Sequence, residues 1–179
     1  MPGKHGQLET GVTIILADQA PQLARAHDEL YPQRVSEGIP LSLTLLYPFV
    51  RQERLADRHF KKLREFFAGV TPFEFELTHV AEGSVMYAVP EPDEHLRAMM
   101  RALWALFPYC PPYGRAGNEP PPHITLAELE HDADTVRSAV MQRVEGLLPA
   151  GFMVRKATLM EEHQPNRWRV RTTFPFAVG

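Results

Sequence analysis

The segment Pro122–Ala127 brings together residue types that could do acid–base chemistry. His123 and Thr125 are two residues apart, so on a β-strand their side chains point to one face, while Ile124 and Leu126 point to the other. An imidazole that titrates near neutral pH would then lie beside a hydroxyl donor. This pair suits a phosphate, because Thr125 can hold a phosphate oxygen while His123 moves a proton. By itself, a His-x-Thr pair is more often structural than functional.

A second segment of the chain has the same outline. Pro40 precedes an apolar strand in which Ser42 and Thr44 are two residues apart, so that Ser42 takes the place of His123. Two matched polar faces, each preceded by a proline, are hard to explain by core packing alone. A regular strand predicts Ser42, Thr44 and Leu46 on one face and Leu43, Leu45 and Tyr47 on the other.

Length and composition limit the possible classes of protein. With 179 residues, of which 44% are hydrophobic, the chain fits one globular domain. The net charge of −3 argues against a large nucleic-acid surface but leaves room for a local basic patch. The single cysteine, Cys110, excludes an internal disulfide and a cysteine-based zinc site. The chain has no run that could span a bilayer, and residues 1–10 are not a signal peptide, so we expect a cytoplasmic protein.

The predicted elements follow an order that occurs twice. The chain from 1 to 82 predicts a strand, a helix, the Ser42 strand, a helix and a strand, and the chain from 83 to 179 repeats this order with one more strand. We therefore predict a single domain, 1–179, whose two lobes are the duplicated halves, about 1–82 and 83–179. The motif strands would face each other across a central cleft. The final strands are predicted at 151–160 and 168–174.

These motifs resemble those of the 2H phosphoesterases, the group that includes the bacterial 2'-5' RNA ligase-like proteins and cyclic phosphodiesterases. The run 43–49 is similar to what usually follows the first motif histidine, and 122–126 is similar to the second motif. The resemblance also takes in 111–114 and 167–170, so it covers nearly the whole chain. The sequence departs from the family at Ser42, which stands where the first histidine is expected.

The resemblance implies an α+β fold with two pseudo-symmetric lobes of antiparallel sheet and outer helices around a central cleft. In the family, one histidine takes a proton from the attacking oxygen and the other gives one to the departing oxygen, while hydroxyl residues hold the phosphate. Substrates are typically 2',3'-cyclic phosphates or 2'-5' linked oligonucleotides. Neither a metal nor another cofactor is expected.

The resemblance carries the catalytic roles to Ser42, Thr44, His123 and Thr125. Serine cannot exchange protons near neutral pH, so activity is an open question with three interpretations. The protein is a slow enzyme that uses His123 alone, or another side chain replaces the missing histidine, or the cleft binds a phosphate compound without cleaving it. The candidate replacement is His79, whose simpler interpretation is a half-exposed strand-end residue. Surface positions are expected for His5, His27, His59, His95, His131 and His163.

Other side chains are candidates for ligand binding. Tyr47 and Tyr113 could stack on a base or pack at a lobe edge. Arg115 is either a phosphate clamp or a solvated arginine. Trp168 is predicted in the core, opposite a face of the last strand that is either a basic patch or simply solvated. That face carries Arg167, Arg169 and Arg171.

The favoured function is the binding, with possible metal-free hydrolysis, of a small phosphodiester. The alternative is a catalytically silent module that binds a nucleotide or an RNA end, and a weaker third candidate is a cleft reused for another substrate. We expect a monomer whose partner is a small phosphodiester or an RNA end, with no membrane contact and no extended nucleic-acid surface.

Overall fold

The computed structural model describes residues 7–129 and 132–178. The strands are β1 (Thr10–Ile15), β2 (Ser42–Leu46), β3 (Phe73–Glu82), β4 (Val85–Glu91), β5 (Ile124–Glu128), β6 (Ala150–Val154), β7 (Lys156–Gln164) and β8 (Arg167–Pro175). The α-helices are α1 (Pro21–Leu30), α2 (Pro32–Glu37), α3 (Asp57–Ala68), α4 (Glu94–Leu106) and α5 (Ala133–Val144). Short 3₁₀ turns lie at Gln52–Arg54, Pro112–Gly114 and Glu145–Leu147.

The strands form two antiparallel sheets of the same design. Sheet A has the order β2-β1-β7-β8 and sheet B the order β5-β4-β3-β6. In each sheet the motif strand lies at the edge and pairs with the strand that precedes it in the chain, and the two motif strands contact each other. The predicted α+β fold with two lobes of antiparallel sheet is therefore confirmed.

The division of the chain between the sheets differs from the predicted halves. Residue 82 ends β3, which pairs with β4 in sheet B, so the predicted boundary falls inside one hairpin. Sheet A instead joins strands from both ends of the chain around the segment 73–154 that forms sheet B. The predicted strand 151–160 is also two strands, because the chain passes at Arg155 from β6 in sheet B to β7 in sheet A. The alternation of buried and exposed residues breaks at the crossing, where Arg155 and Lys156 are two consecutive exposed residues, and the single predicted strand overlooked this break.

A β-bulge changes the predicted faces of β2. Thr44 lies opposite Thr13 but Leu46 lies opposite Val12, so Leu45 is one residue extra on this strand. Leu45 and Leu46 are both buried, and Tyr47 rejoins the half-exposed side. The prediction that Leu46 shares the face of Ser42 is therefore wrong.

Strand β5 carries a bulge at the corresponding place. Thr125 lies opposite Tyr87 and Ala127 opposite Met86, which leaves Leu126 as the extra residue. Leu126 and Ala127 are both buried, and Glu128 is half-buried like Thr125. On both motif strands the residue three positions after the threonine is thus returned to the polar side.

Apolar side chains behind the motif strands hold them in place. Leu43, Leu45, Ile124 and Leu126 are almost completely buried, and burial of one such side chain contributes about 1.5–3 kcal/mol. Helix α4 packs on β2 and helix α1 on β5, while α3 packs on β8. No helix in the described part of the chain is both long and apolar enough to cross a membrane.

Candidate functional site

The two motif strands present polar side chains on the sides that face away from the core. Ser42, Thr44, His123 and Thr125 are half-buried, whereas their strand neighbours are buried. Strand β2 contacts β5, and we call the space beside the polar sides of these two strands the central cleft. Of the four residues predicted to be catalytic, Ser42, Thr44 and Thr125 lie on these edge strands, and His123 directly precedes β5.

The ring of His123 is oriented by the backbone just before it. Its Nδ1 lies 2.8 Å from the carbonyl oxygen of Pro121. A carbonyl only accepts hydrogen bonds, so this contact requires the proton on Nδ1 and leaves the lone pair on Nε2 in the neutral ring. The edge of the Tyr87 ring packs against the imidazole with a centroid distance of 5.7 Å. In the neutral ring of His123, the nitrogen that can accept a hydrogen bond is therefore Nε2.

Three aromatic residues form a cluster at the end of β2. The ring of Tyr47 lies edge-on to Tyr113 and to Trp168, with centroid distances of 6.4 Å and 6.0 Å. The Tyr113 N–H donates to the Tyr47 carbonyl at 2.7 Å, while Tyr113 has a φ of 53°. Gly11 allows Tyr47 to lie this close, since a Cβ at Gly11 would be 3.3 Å from the Tyr47 ring. Trp168 is half-buried here rather than in the core, so that prediction is wrong.

The bulges place Tyr47 and Glu128 on the polar sides of the motif strands. Each of these two residues takes part in a hydrogen bond between a tyrosine and a carboxylate. The hydroxyl of Tyr47 donates to Glu9, and the hydroxyl of Tyr31 donates to Glu128. Burial and the neighbouring carboxylate raise the pKa of Tyr31 to about 12 and raise the pKa of Tyr47 as well. Both phenols therefore remain protonated donors near neutral pH. These two hydrogen bonds connect Glu9 to the end of β2 and Tyr31 to the end of β5.

Arg34, on α2, is a cleft residue that the sequence argument missed. Its guanidinium carbon lies 5.0 Å from the centre of the Tyr31 ring, within cation–π range. Its charge also acts to lower the pKa of Tyr31, Tyr47 and Tyr113, against the larger rise that burial causes. The cation therefore lies near all three phenols. A signal was available, since Arg34 and Arg115 each stand eight residues before the first polar residue of a motif.

Arg115 lies on the exposed loop before β5. Its backbone N–H donates to the Pro112 carbonyl at 3.2 Å, which closes the turn that contains Tyr113. The side chain is exposed and lies two residues after Tyr113, so it is close to any ligand that binds at Tyr113. Its role as a phosphate clamp stays a prediction.

The arginines of β8 do not form a free basic patch. Arg169 contacts the buried carboxylate of Glu161 at 2.8 Å, and Arg171 lies 3.6 Å from the same oxygen. Arg167 donates to the Ser36 carbonyl. A cavity of about 430 Å³ lined in part by Glu161 and Arg171 has no wall on β2 or β5. These three arginines therefore interact with groups of the protein itself, namely the Glu161 carboxylate and the Ser36 carbonyl.

His79 lies on sheet B, two strands away from β5. His79 pairs with Val89, and Tyr87 on the same strand pairs with Thr125, so His79 and Thr125 share a face of the sheet. Two strand spacings separate the backbones of His79 and β5 by about 10 Å. The imidazole is exposed and its Nδ1 lies 2.9 Å from the Thr78 hydroxyl. It is therefore not on either motif strand.

The remaining histidines take structural or surface positions. His27 and His59 are buried, so the surface prediction is wrong for these two. His59 accepts the Ala56 N–H at 3.0 Å and so caps α3. His95 stacks on Phe73 and His163 is exposed, while His5 and His131 lie outside the described residues.

Within residues 7–129 and 132–178, no group of three or more His, Cys, Asp or Glu side chains is arranged to hold a metal ion. Cys110 is buried, and burial raises the pKa of its thiol to about 11. The thiol is thus a weak nucleophile at neutral pH.

Several solved structures share this fold over almost their whole length. E. coli LigT complexed with 3'-AMP is 15% identical, with a TM-score of 0.60, and the match covers 97% of this chain and 100% of that one. The protein TT0787 of Thermus thermophilus is 23% identical, with a TM-score of 0.62 and coverage of 96% and 98%. A crystal structure described as a phosphoesterase is 16% identical, with a TM-score of 0.60 and coverage of 97% and 100%.

At these identities the structural matches establish the fold alone. No curated protein matches the chain in sequence. The family described as the 2'-5' RNA ligase superfamily, however, matches residues 15–166, which include both motif strands and most of the chain. The chain belongs to the 2'-5' RNA ligase superfamily.

Proposed function

We propose that this protein binds a small phosphodiester, such as a nucleoside 2',3'-cyclic phosphate or a 2'-5' linked oligonucleotide, and hydrolyses it slowly without a metal ion. One observation carries this proposal. His123 presents the lone pair of Nε2 beside Thr125, on a strand that adjoins the one bearing Ser42 and Thr44. Structures of E. coli LigT with 3'-AMP, NADP+ and ATP support a nucleotide as the ligand class.

The hydroxyls of Thr44 and Thr125 are suited to donate to phosphate oxygens, with Ser42 as an additional donor. Arg34 and Arg115 approach the cleft from the two segments that precede the motifs and would offset the phosphate charge. The aromatic cluster of Tyr47, Tyr113 and Trp168 offers ring surface to a base, and stacking on an aromatic side chain contributes about 1–3 kcal/mol.

In the proposed reaction His123 acts as the general base. Its Nε2 takes a proton from water as the water oxygen bonds to phosphorus, and one ester P–O bond breaks to leave a phosphate monoester. The departing oxygen takes its proton from solvent, because the hydroxyl of Ser42 is too weak an acid. Loss of one positioned acid or base typically lowers the rate by about 10²–10⁴-fold. Slow turnover is the expected consequence.

The alternative function is a silent module that binds a nucleotide or an RNA end. In the described part of the chain, the only imidazole on β2, on β5 or directly before either strand is that of His123, and this favours the alternative. A monomeric state and a cytoplasmic location stay predictions from the sequence.

The test is hydrolysis of nucleoside 2',3'-cyclic phosphates in the presence of a chelator, together with binding of 3'-AMP. We expect slow turnover that falls at least about 100-fold in His123→Ala, with no change in His163→Ala, which alters an exposed histidine. The variant His79→Ala tests whether His79, on β3, takes part in the hydrolysis. Binding of 3'-AMP without turnover would favour the silent module, and absence of both would refute a nucleotide phosphodiester as the ligand.

A further inference from the structure

We propose that a surface beside the cleft, formed by Arg58, Lys62 and Tyr109, binds the nucleotides that precede the 3' end of a single-stranded RNA whose terminal phosphate occupies the cleft. We call these three residues the outer basic face. This inference rests on the proposed function, because it places the RNA end in the central cleft. It selects an oligonucleotide, rather than a mononucleotide, as the substrate.

Lys62 and Tyr109 lie against one buried ring, and Arg58 lies on the same helix flank as Lys62. Arg58 and Lys62 are four residues apart on α3 and therefore lie on one flank of the helix. The Lys62 ammonium lies 5.9 Å from the centre of the Phe107 ring, and the Tyr109 ring lies edge-on to the same ring at 6.1 Å. Phe107 is fully buried, so it is a fixed anchor for both. The charge of Arg58 acts on the pKa of Tyr109, which is consistent with their proximity.

The outer basic face is exposed, and its charge is not neutralised within the described part of the chain. Tyr109 is 60% exposed, more than any other tyrosine, tryptophan or phenylalanine described. Neither Arg58 nor Lys62 lies within ion-pair distance of a described carboxylate, in contrast to Arg169, which contacts Glu161. An exposed aromatic ring beside two such cations matches what single-stranded nucleic acid requires, namely a stacking surface for a base and positive charge for the phosphates.

The outer basic face adjoins the mouth of the cleft. Phe107 packs on Phe49 with a centroid distance of 4.9 Å, and Phe49 is two residues beyond Tyr47. Three residues separate Tyr109 from Tyr113, so their Cα atoms are four steps along the chain and at most about 14 Å apart. Tyr113 in turn donates its N–H to Tyr47. A short stretch of RNA leaving the cleft past Tyr113 therefore reaches Tyr109.

The test compares two probes that contain neither the cyclic phosphate nor the 2'-5' linkage proposed as the substrate, namely 3'-AMP and a short 3'-5' linked oligoadenylate with a 3'-phosphate. Binding of each is measured by fluorescence anisotropy or calorimetry over a range of salt concentrations. The variants are Tyr109→Ala and the double variant Arg58→Ala/Lys62→Ala. The matched controls are Tyr109→Phe, which keeps the ring, and Arg64→Ala, which removes an exposed cation from the opposite flank of α3.

We expect the oligoadenylate to bind more tightly than 3'-AMP. Tyr109→Ala should weaken the oligoadenylate roughly tenfold, and the double variant should lower the slope of log affinity against log salt by about 1.4, or about 0.7 for each cation. Binding of 3'-AMP and both control variants should be unchanged.

If 3'-AMP binds tightly and the oligoadenylate binds no more tightly, the proposed role of the outer basic face in RNA binding is refuted, and the proposed function is retained. Equal losses for both probes, or the same loss in Arg64→Ala, would also refute that role. If neither probe binds, the proposed function fails and the inference that depends on it fails too.

Discussion

Replacing Ser42 with histidine should increase metal-free hydrolysis of a cyclic phosphodiester. Ser42 is half-buried at the start of β2, on the side that borders the central cleft. Pro40 stands two residues before it, as Pro121 stands two residues before His123. An imidazole at position 42 could therefore donate its Nδ1–H to the Pro40 carbonyl, as His123 does to Pro121 at 2.8 Å. In the protonated ring, Nε2–H would then be free to donate to the departing oxygen of the phosphodiester.

The size of the effect follows from the missing proton transfer. A positioned general acid or base contributes about 10²–10⁴-fold to a rate, or about 2.7–5.5 kcal/mol of the activation free energy. We expect Ser42→His to raise kcat toward the lower end of this range, about 100-fold, since the surroundings of position 42 are not adapted to an imidazole. KM should change little, because the phosphate-binding hydroxyls remain. The assay is initial-rate hydrolysis of nucleoside 2',3'-cyclic phosphates with a chelator present.

Two controls separate acid–base chemistry from a change in shape. Ser42→Asn introduces a polar side chain that does not titrate, and it should not raise kcat. The double variant Ser42→His/His123→Ala should lose the gain, and the pH–rate profile of Ser42→His should become bell-shaped. If Ser42→His folds and binds 3'-AMP but hydrolyses no faster than Ser42→Asn, then β2 and β5 do not act on one phosphate, and the reasoning is refuted.

Three further predictions follow from contacts around the cleft and the core. Arg34→Ala should weaken 3'-AMP binding roughly tenfold or more, as expected for a lost charged contact, while Arg34→Lys retains part of the affinity; calorimetry showing no change would contradict a role in the cleft. Gly38→Ala should lower the free energy of unfolding by about 2 kcal/mol or more, because Gly38 has a φ of +80° and a Cβ there would lie 2.5 Å from the Trp168 carbonyl; an unchanged urea midpoint would show that the contact relaxes. Burial lowers the pKa of His59 from 6.5, so its contribution to stability is present above about pH 6.5 and is lost as the pH falls through the folded-state pKa. His59→Gln, which can still accept the Ala56 N–H, should therefore reduce the dependence of unfolding free energy on pH below about 6.5 by up to roughly 1.4 kcal/mol per pH unit, and an unchanged slope in urea denaturation at several pH values would contradict this.

The motif strands show which side-chain orientations the alternating pattern of residues predicts correctly and at which residues that prediction fails. The two-residue spacing of His123 and Thr125, and of Ser42 and Thr44, correctly predicted a polar side on each strand. The same alternation failed one residue later, because bulges at Leu45 and Leu126 bury two consecutive residues. Paired apolar residues after each threonine were a usable sign of this irregularity.

The sequence by itself determined the class of fold and the pair of motif strands, because alternating side chains and their flanking prolines are local properties. It also showed that position 42 carries a serine, a residue type that does not exchange protons near neutral pH. Only the tertiary structure decided which strands share a sheet. Contacts between segments far apart in the chain decide that the chain passes from sheet B to sheet A at Arg155. Such contacts also decide that Arg34 and Trp168 lie near the cleft. No local pattern encodes such contacts, because they are selected by the packing of the whole core.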